Sequence, residues 1–367
     1  MSGTVPTITA GSITGLTALP NRPIYFLKLN GAAAVSLVVK GDAPPKTDGG
    51  PADPDAPISI KWGSKLMKNV NNRLVNVKIM SPLEVGVFKQ YAQANLENGS
   101  KPYNNLNVNY TWVKMPHAAG LSDAQMTDEV TKRPIQSLVK RNIHKFADAE
   151  VWTDLGEVVA VDIFNGNNDR FDIATGKWMN YGNIMFLAQG TSKVIGLDMF
   201  DPNSDYSNYN RAGGYAELNT LNDDVARNKF ARLCVTSVGA TMKRELGGNR
   251  TNKQGSSGSI TVLVRNLPMQ IDIGTMENLF LPFLDDFSRG LEQGVAELKR
   301  YLIAKTVQYR VQNRPLPQGI IDRMAYLGWT PGPARPNANA PLLTPTQMQG
   351  RYHRPRNAGR NGGGDAT

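Results

Sequence analysis

Seven apolar side chains, Leu279, Phe283, Phe287, Leu291, Val295, Leu298 and Leu302, recur at steps of three or four residues. That period belongs to an α-helix and puts all seven on one face. A helix with one apolar face needs a second layer to cover it. The back of the chain is therefore expected to build a core around this segment, with the stripe as packing rather than a binding surface. Pro282 is expected to break the helix near its start.

The front of the chain has a different period. Ile24–Leu29 and Val35–Val39 read as strands, with Asn30-Gly31 as a hairpin signal between them. A Pro/Gly/Asp-rich loop over 42–57 precedes a short helix at 58–69 and a strand at 74–80. Segment 85–110 has helical spacing and then an Asn-rich loop, and Tyr110–Met115 is a strand stopped by Pro116. From Leu121 to Phe146 helical spacing dominates, interrupted at Pro134. Val158–Val161, Asn183–Leu187 and Val194–Leu197 read as β runs. Segment 221–245 reads as a helix, 247–258 as a Gly/Ser/Asn loop, and 319–327 as a short helix. The expected organisation is α+β: a loosely ordered 1–20, a β-rich front over 21–115, a larger mixed part over 116–330, and a tail over 331–367.

Composition narrows the chemistry. With one cysteine, Cys234, and three histidines in 367 residues, neither a disulfide framework nor a Cys/His metal cage is expected. Cys234 sits in an amphipathic pattern and reads as a small buried hydrophobe. The formal charge is +10, from 41 Lys+Arg against 31 Asp+Glu. The tail from Pro331 holds five arginines and one acid, so +4 of the +10 lies there and +6 on the body. The tail has 12 Pro or Gly in 37 residues and is expected to stay unfolded, touching polyanions without specificity. The mildly basic body suits an acidic protein or an anionic lipid headgroup; specific nucleic-acid binding is a weaker reading. No window is apolar enough for a membrane span and Met1–Pro20 lacks a signal-peptide pattern, so a cytoplasmic protein is expected. Delivery into a host cell by a route independent of such a signal is compatible with this. No Walker-type phosphate loop or nucleophile elbow occurs, and Asp162–Phe171 fails the calcium-loop pattern.

The richest stretch is Asp162-Ile-Phe-Asn-Gly-Asn-Asn-Asp-Arg-Phe171, followed by Gly182-Asn-Ile-Met-Phe186 and Gly196-Leu-Asp-Met-Phe200. If the last two runs pair as a hairpin, Asn183 and Asp198 meet at one end. An amide oxygen and a carboxylate there suit a hard cation such as Mg2+. Taken singly, each feature has an ordinary explanation: a turn for Asn165–Asp169, a strand-end charge for Lys40, a turn cap for Asp198.

As an ordered set, these residues resemble the catalytic segments of atypical kinases, the phosphatidylinositol 3-/4-kinase-like and actin-fragmin kinase group. The resemblance spans roughly residues 24–200. It implies a bilobal fold with a small β-rich N-lobe and a mainly helical C-lobe, and ATP with Mg2+ between them. Asp169 matches the catalytic aspartate and Arg170 its basic neighbour. Asn183 and Asp198 match the metal ligands. Lys40, in Leu37-Val-Val-Lys-Gly41, matches the lysine that holds phosphates, and Trp112-Val-Lys-Met115 matches the hinge, with Val113 and Met115 against adenine. The Tyr206/Tyr209/Tyr215 loop falls where kinases keep an activation or substrate segment.

The chain departs from the family in three places. About nine extra residues separate Asp169 from Asn183. The helix at 58–69 holds Lys61, Lys65 and Lys68 but no glutamate to pair with Lys40, leaving Glu84 or Asp55 as stand-ins. Gly11 and Gly15 replace the usual glycine cluster. The expected activity is transfer of phosphate to a protein or lipid hydroxyl. An inactive kinase-like scaffold, or a kinase completed by a partner, stays open.

Overall fold

The computed structural model describes residues 5–42, 56–70, 76–117, 121–123, 136–187, 194–197, 214–246, 258–264 and 267–329. Five strands build an antiparallel N-terminal sheet: β1 (Ile13–Ala18), β2 (Ile24–Leu29), β3 (Leu37–Asp42), β4 (Lys78–Ile79) and β5 (Thr111–Pro116). Their spatial order is β1-β2-β3-β5-β4. The strand pleat sorts the side chains. Tyr25, Leu27, Leu37, Val39 and Trp112 lie on one face and are buried, whereas Phe26, Val38 and Lys40 alternate with them and are only half-buried.

The buried face is closed by α2 (Pro82–Asn95), which delivers Phe88 and Ala92. Its start is fixed locally: Ser81 caps it, Glu84 completes a reciprocal capping box, and Pro82 occupies the first turn. The rings of Tyr25 and Trp112 pack on Phe88 at 5.1 and 5.3 Å. A short α3 (Lys101–Asn105) leads into β5. The chain before β2 is not loose, contrary to the expectation for 1–20. Val5, Ile8 and Ile13 enter this core, and β1 pairs with β2. Apolar anchors this widely spaced show no period in the sequence, but burial supplies their driving force. The strand expected over 74–80 shrinks to β4, and residues 71–75 lie outside the described ones.

Between β3 and β4 lies α1 (Ala56–Val70), with the boundaries its apolar spacing predicts to within two residues. Ala56 and Ile60 meet Val113 of the sheet, while Trp62, Leu66, Met67 and Val70 join the core of the C-terminal part. The helix thus links two cores.

That larger core centres on α5 (Ala149–Asn165), flanked by α4 (Gln136–Phe146) and preceded by β6 (Leu121–Asp123). Here a strand reading is overturned: Val158–Val161 is the middle of a helix. The helix is buried on nearly all sides from Val151 to Asn165, so no amphipathic period is visible and its β-branched run mimics a strand. Likewise Leu121–Asp123 is a strand rather than helix, pairing with β7 (Ile184–Leu187), which pairs with β8 (Val194–Gly196). The helix over the second half of that segment is present as α4.

Helices α6 (Asn219–Asn222) and α7 (Asp224–Leu246) follow, and α7 buries Cys234 completely. Burial pushes that thiol well above its ordinary value, as expected for a packing residue. A hairpin of β9 (Ser259–Val264) and β10 (Leu267–Asp272) comes next, in a stretch to which the sequence reading assigned no element. Its alternating Ile260-Thr-Val262 pattern was hidden beside a Gly/Ser-rich flank. The apolar stripe forms α8 (Leu284–Val311), with Pro282 in a short turn before its start rather than a break within it. It adds Phe287, Leu291, Leu298 and Leu302 to the same core and packs along α5. The two helices touch backbone to backbone. A Cβ on Gly290 would strike the carbonyl of Thr153, and one on Gly294 would lie 2.7 Å from Ala160 Cβ. Last comes α9 (Gln318–Tyr326), after which Trp329 stacks on Phe164 at 5.8 Å. Among the described residues no helix is long and apolar enough to cross a membrane.

Candidate functional site

The site begins where α5 ends. Gly166 takes φ 72°, a left-handed conformation that glycine adopts freely, and its N–H returns to the carbonyls of Asp162 and Ile163. The chain is thereby turned into a loop held by amides. Asn167 Oδ1 accepts from the Asp169 N–H at 3.0 Å, Asn167 Nδ2 donates to Asp162 at 3.0 Å, and Asn168 Oδ1 accepts from the Ile173 N–H at 2.9 Å. Side-chain amides do here what a regular element would do elsewhere.

Asp169 stands half-buried at the tip of this loop. Its Oδ2 accepts from Asn183 Nδ2 at 2.7 Å. A carboxylate only accepts, so this contact assigns the Asn183 amide: the nitrogen faces Asp169. Asn183 Oδ1 then takes no hydrogen bond among the described residues. Asn183 is itself fixed by the β7–β8 hairpin, since its carbonyl accepts from the Leu197 N–H at 2.9 Å. The hairpin expected from the sequence exists, and Asn183 lies opposite Leu197 at its end. Asp198 lies outside the described residues, as do Asp55, Tyr206, Tyr209 and the tail from 331.

Arg170 is completely buried. Its Nε lies 3.1 Å from Asp162 Oδ2, and its Nη1 donates to the carbonyls of Asn183 at 3.2 Å and Leu197 at 2.9 Å. Gly196 makes room, since a Cβ there would lie 2.9 Å from Arg170 Nη2. This corrects the assignment of Arg170 to the catalytic set: with no exposure it cannot touch a substrate, and it acts by tying the helix end, the loop and the hairpin together. Asp162 and Asn167, to which sequence reasoning gave no role, are its supports. Their signal was their place in the Asn/Asp cluster.

The extra residues between Asp169 and Asn183 form a small closed loop. Phe171 bridges to Trp178 with their rings stacked at 6.3 Å, and the Trp178 N–H donates to Ser237 of α7 at 2.7 Å. The insertion is therefore tucked onto α7.

In the sheet, Lys40 pairs across β3–β5 with Val113, on the half-open face that also carries α1. Its Nζ lies 3.3 Å from Asp42. Strand residues two apart share a face, so Lys-Gly-Asp already encoded this acid, which sequence reasoning overlooked. Glu84 is excluded as the partner. It sits on the opposite face, ion-paired with Lys114 and accepting from the N–H groups of Ile8 at 2.9 Å and Ser81 at 3.1 Å. Lys114 Nζ also donates to the Pro6 carbonyl at 2.6 Å. Burial raises the Glu84 carboxyl, but these hydrogen bonds and the Lys114 charge outweigh it and hold the group below its ordinary value.

The hinge assignment also needs correction. Val113 is paired on both sides, with Lys40 of β3 and Ile79 of β4, and Met115 pairs with Val38. Their backbone groups are committed to the ladder and cannot read an adenine edge. Their side chains lie on the Lys40 face, where Val113 is covered by Ala56 and Ile60 of α1 and Met115 is half-buried. Among the described residues no three His, Cys, Asp or Glu gather as a metal cluster. The oxygen donors at hand are Asn183 Oδ1 and the Asp169 carboxylate. No protein-family model matches the chain, and a search of curated proteins returns no significant match.

Proposed function

We propose that the protein is an ATP- and Mg2+-dependent phosphotransferase of bilobal, protein-kinase-like architecture, acting on a hydroxyl of a protein or lipid headgroup. The observation that carries this reading is the 2.7 Å contact of Asn183 with Asp169, made where the end of a hairpin meets the loop after α5. An uncommitted amide oxygen beside an acceptor-only carboxylate suits a hard cation and a proton acceptor side by side. The antiparallel order β1-β2-β3-β5-β4, a lysine on β3 and a helix between β3 and β4 agree with a nucleotide lying against the Lys40 face.

In this reading Asp169 orients the acceptor hydroxyl and takes its proton as the new O–P bond forms and the bond from the γ-phosphorus to the ADP oxygen breaks. Lys40, steadied by Asp42, holds phosphate oxygens. Mg2+, held by Asn183 and Asp198, would offset charge on the phosphates. Met115, half-buried on the Lys40 face, gives a purine an apolar surface, with Val113 beneath α1 as its support. Arg170 keeps Asp169 and Asn183 in register from beneath. Such chemistry rests on positioning and electrostatics.

Asp169→Asn and Asp198→Ala should each abolish transfer of labelled γ-phosphate while the melting temperature stays put. Wild-type activity in both variants would end the assignment. One observation favours a second reading, a nucleotide-binding scaffold: α1 contains no acid that could pair with Lys40. Mg-ATP that raises the melting temperature without being turned over would select it.

A further inference from the structure

The turn between β1 and β2, Leu19–Pro23, holds two prolines and an arginine. Gly11 and Gly15, the residues the sequence reading considered, lie before and within β1. The turn is stiff. Pro20 and Pro23 fix their φ angles, and the Leu19 N–H closes it on the Ile24 carbonyl at 2.9 Å.

This turn reaches the site loop. Arg22 Nη1 lies 3.9 Å from where a Cβ would stand on Gly182, the residue before Asn183. Arg22 is exposed, and among the described residues its guanidinium makes no hydrogen bond or ion pair. The neighbouring acid, Asp169, already accepts from Asn183. A rigid turn thus holds an unpaired fork of donors beside Gly182, the residue that precedes Asn183. A guanidinium matches phosphate oxygens two at a time, and its charge never titrates away near neutral pH.

We propose that Arg22 is a phosphate-binding residue, closing the site from the β1–β2 turn and gripping the polyphosphate of the nucleotide with a side chain. The identity of the ligand rests on the phosphotransferase reading; the anion grip rests on the placement of Arg22 alone.

The test measures binding of Mg-ATP, inorganic tripolyphosphate and adenosine to the full chain, as wild type, Arg22→Ala and Arg22→Lys. Arg22→Ala should bind Mg-ATP and tripolyphosphate about ten- to a hundredfold more weakly, the worth of a charge-assisted hydrogen bond, with adenosine unchanged. Arg22→Lys should recover part of the loss, because charge remains but the fork is gone. Wild type that binds Mg-ATP with the same affinity as Arg22→Ala would overturn the grip and leave the phosphotransferase reading standing. Arg22-dependent binding of tripolyphosphate without any binding of Mg-ATP would support the grip and sink the nucleotide. Wild type that binds neither would overturn both.

Discussion

The two faces of the N-terminal sheet differ by a shift of one residue along β3 and β5, and they have opposite fates. On the closed face Val39 stands opposite Lys114, whose ammonium is buried with Glu84 and the Pro6 carbonyl. On the open face Lys40 stands opposite Val113, and Lys40 keeps 18% of its side chain exposed beside Asp42. Neighbouring lysines on one sheet thus do different jobs. The buried one ties the N-terminal segment to α2. The half-open one is the charge that the proposed function sets against phosphate. A lysine motif alone cannot tell them apart; which face is covered does.

The comparison breaks most readily at the lysines. Lys114→Met should destabilise the protein by about 3–5 kcal/mol, because it leaves Glu84 buried without its counter-charge. Adding Glu84→Met should restore much of that loss, and chemical denaturation of the three variants would check it. Lys40→Met should leave stability nearly unchanged but lower phosphate transfer by about 10²–10³-fold, read from initial rates. If the two lysines exchanged these phenotypes, the assignment of faces would be wrong.

A second test concerns the helical part, whose tightness has another origin. Gly290→Ala should cost about 1–3 kcal/mol by forcing α8 off the Thr153 carbonyl, seen as a lower melting temperature. Alanine is the better helix former, so a rise in stability would show that the backbones are not in contact.

The smallest expected effect is that of pH on the closed face. Glu84 is held below its ordinary value of 4.5, so its contribution is complete above that value and is lost as pH falls through the lower folded-state value. Melting temperature should therefore drop on acidification below 4.5, and Glu84→Gln should show a shallower drop from a lower starting point. Parallel curves would exonerate Glu84.

Much of this was legible in the sequence because it was local. The three-four period fixed α8, alternation marked β2 and β3, and the spacing of Asn183 and its following runs implied the hairpin that now holds Asn183 beside Asp169. Periodicity works where one face meets water and the other does not. It failed at Val158–Val161, because a helix buried all round has no period. It also failed at Val5, Ile8 and Glu84, because contacts between segments 76 positions apart leave no mark in either one.

By itself, then, the sequence determined the elements with a visible period, such as α8, β2, β3 and the β7–β8 hairpin, and the acids, amides and lysines available to a site, since these follow from local propensity and from which side chains can hold a charge. The tertiary structure alone decided which lysine is buried, that Arg170 is a strut, that the backbone of Val113 and Met115 is spent on the sheet, and that Arg22 lies beside Gly182. Each of those depends on which surfaces the packed core covers, and coverage is a property of the whole chain.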